Sequence, residues 1–97
     1  MQFEIKNLHR SIHGIMREIG YVPTHFQEPS EFSIVRKMLG GEYPRFHIYV
    51  KQHGADFSFN LHLDQKKPSY EGSKGHSGEY EGKVVEDEVE RIKHLLR

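Results

Sequence analysis

The chain contains no cysteine in its 97 residues, which excludes disulfides, thiolate-rich zinc fingers and cysteine nucleophiles together. It has no excess of either charge, since 14 Lys plus Arg stand against 14 Asp plus Glu. No basic field therefore favours non-specific DNA binding, and no acidic surplus marks a solvating tail. No run approaches the roughly 20 apolar residues that span a bilayer, and there is no amino-terminal apolar segment with a cleavage site. A cytoplasmic protein without a membrane partner is the expectation. With 35% hydrophobic residues, the chain suits one small domain over residues 1–97 and is too short for two.

What the chain does have in unusual number is histidine, with eight. The most informative stretch carries two of them. Phe46-His47-Ile48-Tyr49-Val50 and Phe57-Ser58-Phe59-Asn60-Leu61-His62-Leu63-Asp64 both alternate apolar with polar, and strand side chains point to opposite faces with a period of two. A hairpin turning at Gly54-Ala55 then pairs Tyr49 with Asn60, His47 with His62 and Arg45 with Asp64. The same register sets Ile48 against Leu61 and Phe46 against Leu63. A slip of one residue would turn the core outward.

Around this hairpin the remaining elements are read from periodicity. Ile5, Leu8, Ile12, Ile15, Met16 and Ile19 recur at helical spacing from Phe3 onward and Gly20 follows as a cap, which predicts a first amphipathic helix. Gly14 in its middle suggests a close approach to the sheet. Glu31–Met38 reads as a strand or a short helix with no decisive periodicity, and Phe32, Ile34 and Val35 favour the strand. The glycine-rich stretch 69–82 reads as a loop. Val85, Val89, Ile92 and Leu96, with Val84 and Leu95 broadening the stripe, predict a second helix, with acidic residues early and basic ones late as the helix dipole favours. The expected fold is α+β in the order α-β-β-β-α, an antiparallel three-stranded sheet with both helices on one face and the polar face left open.

On that polar face His47, His62 and Asp64, completed by His76 or Glu79 from the loop, form a candidate site for zinc or another divalent metal, because imidazole nitrogens and carboxylates suit such ions. Arg45, Tyr49, Asn60 and Lys66 are the accompanying candidates for binding a small ligand. A histidine held by Asp64 would also suit general-base work, but Ser58, Ser73 and Ser77 do not lie in a nucleophile elbow: Gly75-His76-Ser77-Gly78 stops short of G-x-S-x-G. Gly72, Gly75 and Gly78 with Lys74 could cradle a phosphate, but no Gly-Lys-Ser/Thr follows, so a flap over the polar face is favoured over phosphate binding and a plain flexible loop over both. His9 and His13, one turn apart on the expected first helix, sit among Lys6, Arg10 and Arg17 and read as solvated surface.

Asp64-Gln65-Lys66 at the end of the third expected strand resembles the core motif of PD-(D/E)XK nucleases, in which a strand carries an acidic residue and a lysine two apart. The resemblance implies Asp64 as a metal ligand, Lys66 as the active-site lysine and nucleic acid as the substrate. The family's preceding acidic residue has no counterpart, since Arg45 to Lys51 contains neither Asp nor Glu. The leading expectation is a domain binding a metal or ligand on the polar sheet face. The alternatives are a non-catalytic homo-oligomer whose second copy covers that face, and the nuclease.

Overall fold

The computed structural model describes residues 1–25, 27–65, 78–79 and 82–97. At its centre β4 (Arg45–His53) and β5 (Asp56–Asp64) pair antiparallel along their whole length. Gly54 turns the chain with φ 64° while Ala55 keeps a negative φ, the combination of a type II′ hairpin with glycine at the first central position. Tyr49 faces Asn60, His47 faces His62 and Arg45 faces Asp64, as the alternation requires. Phe46, Ile48, Val50, Phe57, Phe59, Leu61 and Leu63 are all buried, each worth about 1.5–3 kcal/mol of transfer free energy.

The sheet is wider than the expected three strands. β3 (Phe32–Lys37) pairs with β4, and the short β2 (Val22–Pro23) closes that side, where a proline is tolerated because an edge strand loses no essential ladder bond. On the far edge of β5, β1 (Gln2–Ile5) pairs with residues 57–60 and β6 (Gly78–Glu79) pairs further along with Leu63 and Asp64. The five-strand order is therefore β1-β5-β4-β3-β2, all antiparallel, with β6 added on β5. The chain order is β-α-β-β-β-β-β-α, not the expected α-β-β-β-α. The topological part of the nuclease resemblance falls with it.

The first helix accounts for much of this correction. Phe3 and Ile5 alternate with Gln2 and Glu4 and face Phe59 and Phe57 across the ladder, with Phe3 stacked on Phe59 at 4.8 Å. The Ile5–Leu8–Ile12 spacing imitates a helix, but Asn7 adopts φ 59°, a left-handed conformation that interrupts one. The Asn7 N–H donates to Asp56 Oδ1 (2.8 Å) and the Leu8 N–H to the Ala55 carbonyl (2.7 Å), so this segment is tied to the hairpin turn. α1 (Ile12–Ile19) starts only after Ser11, whose Oγ accepts the Gly14 N–H, and ends at Gly20 with φ 81°. His9 thus precedes the helix, and both His9 and His13 are exposed. Gly14 marks no approach to the sheet, because a methyl group there would meet only Ser11 Oγ, at 3.3 Å.

α2 (Lys83–Leu96) buries Val85, Val89, Ile92 and Leu96. Val84 and Leu95 do not join the stripe and stay 45% and 36% exposed. Both helices share one core with the apolar face of β3, β4 and β5.

One acidic residue of α2 lies inside rather than on the solvated face. Glu88 is 3% exposed. It accepts from Tyr21 Oη (2.6 Å), from Arg36 of β3 (2.9 and 3.2 Å) and from Arg91 (2.8 and 2.9 Å). Arg91 also donates to the Ile19 carbonyl at 2.6 Å, closing the end of α1. Burial acts to raise the Glu88 pKa, but the hydrogen bonds from Arg91, Arg36 and Tyr21 outweigh it and hold the carboxyl below its ordinary 4.5. Burial, reinforced by the Glu88 charge, pushes the Tyr21 phenol well above its ordinary value. One carboxylate thereby joins α1, β3 and α2.

Replacing Glu88 with Gln is expected to lower stability by about 3 kcal/mol at pH 7, since two arginines lose a partly buried partner. A depressed carboxyl pKa stabilises above the unfolded value and ceases to do so as the pH falls through the folded one. The gap between wild type and Glu88→Gln in urea unfolding should accordingly narrow below about pH 4.5. A gap unchanged into acid would show that the carboxylate charge does not hold the three elements together.

Candidate metal centre

His62 and Asp64 lie two apart on β5 and so share a face, and the ladder sets His47 of β4 directly opposite His62. The two imidazoles lie 4.8 Å apart between ring centroids. Tyr49 flanks both rings, at 4.5 Å from His47 and 6.0 Å from His62. Packing of these rings makes the face less open than alternation suggests: His47 is 9% and His62 6% exposed.

Asp64 binds the cluster together. Its Oδ2 lies 3.2 Å from His47 Nδ1 and its Oδ1 lies 2.8 Å from His62 Nε2. Arg45 Nε donates to Oδ2 at 3.3 Å, while the Arg45 guanidinium rests over the Tyr43 ring. Burial tends to raise the Asp64 pKa, but the hydrogen bonds from His47 and His62, with the attraction of their charge, hold it well below the usual carboxylate range. Asp64 is therefore a carboxylate that accepts from three sides.

The three residues each offer one ligand atom, and those atoms lie within 4.8 Å of one another. Two imidazoles and a carboxylate can hold a divalent first-row metal, zinc foremost among them. Lys66 and His76 lie outside the described residues. In β6 the register puts Gly78, not Glu79, opposite Asp64, and Glu79 opposite Leu63. Tyr49 and Asn60 instead line a neighbouring groove of about 500 Å³, together with Gln2, Glu4, Lys51 and Ser58.

Sequence reasoning missed Ser33. This residue of β3 is 3% exposed, and its Oγ lies 2.7 Å from His47 Nε2. The Thr24 hydroxyl donates to Ser33 Oγ at 2.9 Å. Gln27 clamps the strand behind it, accepting the Ser33 N–H at 3.0 Å and donating to the Ser33 and Thr24 carbonyls at 2.8 and 3.0 Å. The available signal was the alternation Phe32-Ser33-Ile34, which puts Ser33 on the histidine face. Ser33, His47 and Asp64 follow the order of a nucleophile, base and acid. However, Ser33 sits within a regular, buried strand rather than on an exposed elbow, and Gln27 occupies its N–H. The cluster is a relay of hydrogen bonds running from Thr24 to Asp64.

Comparison with known proteins gives no match: no family model fits the chain, and no curated protein or solved structure is significantly similar to it. Among the described residues no helix is long and apolar enough to cross a membrane.

Replacing Asp64 with Ala removes the acceptor shared by two buried imidazoles and Arg45. In metal-free protein held in chelator this change is expected to lower stability by about 2 kcal/mol, as for loss of a charged hydrogen-bond acceptor. Urea unfolding measures it, and a change below a few tenths of a kcal/mol would mean that Asp64 does not organise the cluster.

Proposed function

We propose that the protein binds a divalent first-row metal, zinc in the first instance, through His47, His62 and Asp64. The observation that supports this reading is the convergence of two imidazoles and one ionised carboxylate on a single poorly exposed patch. Rigid strands supply all three, and the hairpin register sets their spacing before any ion arrives. Three protein ligands leave a coordination position for water or a ligand, as in open rather than closed zinc sites. The groove at Tyr49 and Asn60 is the place from which a small ligand would approach.

Arg45 has a defined part in this reading. Its guanidinium competes with a cation for Asp64 Oδ2 and balances the carboxylate while the metal is absent. It tunes affinity and is not a ligand.

The test uses tag-free protein titrated with zinc against a chromophoric chelator. Wild type should take up one equivalent. His62→Ala and Asp64→Ala should each weaken binding by more than the roughly 10–100-fold typical of losing an outer partner. Arg45→Gln should tighten it several-fold. Uptake that survives His62→Ala and Asp64→Ala together would place the metal elsewhere.

A further inference from the structure

The candidate ligands hydrogen-bond one another, and this raises a question of polarity along the relay. The Asp64 carboxylate can only accept, so the two nitrogens facing it, His47 Nδ1 at 3.2 Å and His62 Nε2 at 2.8 Å, carry hydrogens in the metal-free protein. A neutral His47 then has its lone pair on Nε2. The group facing that lone pair at 2.7 Å is the Ser33 hydroxyl, which must donate, and Ser33 Oγ in turn accepts from Thr24 at 2.9 Å. Every hydrogen in the row Thr24, Ser33, His47, Asp64 points toward the carboxylate.

A metal needs the opposite. To ligate through the nitrogen next to Asp64, His47 must offer the Nδ1 lone pair and carry its hydrogen on Nε2. That hydrogen needs an acceptor in a place where Ser33 is 3% exposed and bulk water does not substitute. Few side chains answer both demands. A carboxylate accepts only and an ammonium donates only, whereas a hydroxyl has one hydrogen and two lone pairs and can rotate between roles.

We propose that Ser33 is a positioning residue for metal binding: its hydroxyl reverses from donor to acceptor toward His47 Nε2, turning its own hydrogen toward Thr24 Oγ1, so that His47 presents Nδ1 to the ion. The Gln27 clamp holds both hydroxyl-bearing segments while the row inverts, since its amide binds backbone groups of Ser33 and Thr24 and not the hydroxyls. The metal state is thereby written into the direction of hydrogen bonds two residues beyond the ligands. The inference rests on the metal-binding reading of His47, His62 and Asp64.

Two measurements test it. In protein labelled with ¹⁵N in its histidine rings, long-range ¹H–¹⁵N correlation reports which nitrogen of His47 carries hydrogen. The expected result is Nδ1–H without metal and Nε2–H with zinc. Ligation through Nδ1 by itself requires that exchange, so the part played by the hydroxyl is read from the Ser33 variants. In parallel, Ser33→Ala should weaken zinc binding about 10–100-fold, with Ser33→Thr retaining most of the affinity and Thr24→Val losing less than Ser33→Ala. Wild type that binds zinc with His47 still protonated on Nδ1 overturns the proposal and leaves the metal site standing, as does a folded Ser33→Ala that binds as tightly as wild type. Wild type that binds no zinc overturns both. If Ser33→Ala does not fold, the ring-nitrogen measurement on wild type and the Thr24→Val titration decide.

Discussion

Pairing of β4 with β5 in one register is the constraint from which both the core and the histidine cluster follow. Because the side-chain period is two, the same alignment that drives Phe46, Ile48, Phe59 and Leu61 inward brings His47 against His62 and Arg45 against Asp64. The site's spacing therefore needs no separate device. It is held by burial of large apolar rings on the opposite side of the sheet, a force far stronger than any single polar contact in the cluster. Gly54 at φ 64° lets the turn be only two residues long, which removes slack from the alignment.

A second polar assembly works on the helical side. Glu88 gathers Tyr21, Arg36 and Arg91 about a buried carboxylate, and Arg91 reaches on to the end of α1. The two networks share a principle, a low-pKa carboxylate satisfied from several directions, but they differ in their surroundings. Glu88 is held chiefly by guanidinium groups that stay charged, which suits a permanent fastening. Asp64 is held by two imidazoles, whose nitrogens can exchange donor and acceptor roles. The helical-side fastening thus rests on fixed charges, whereas the polar face of the sheet adds two adaptable imidazoles to the fixed charge of Arg45.

How far this was readable from sequence depends on which physical signal each element carries. β4, β5 and α2 are strongly patterned, and their positions and the hairpin register are legible from period and turn chemistry, whereas β3 has no decisive periodicity and is favoured only by its β-forming residues. β1 is not legible, because Ile5, Leu8 and Ile12 coincide with helical spacing, and only the tertiary bonds from Asn7 and Leu8 to the hairpin turn break it. Val84 and Leu95 look apolar enough for the core, yet the helix turns them outward. Glu88 looks like one more acid in the early turns of a helix, and its burial depends on Arg36, 52 residues away in sequence. In the site, His47, His62 and Asp64 are legible because they lie on paired alternating strands. Ser33 is not, since its importance comes from a third strand whose register no local pattern reveals.

The placement of β1 bears on how the polypeptide is made. Residues 2–5 are synthesised more than fifty residues before the stretch 57–60 of β5, which is their ladder partner among the described residues. At about 5–20 residues per second, Phe3 and Ile5 wait for several seconds of translation with no sheet to join. The local β4–β5 ribbon can close as soon as it emerges, and the leading segment can only dock afterwards along its outer edge. A segment synthesised ahead of the rest of the sheet is thus among the last to find its place.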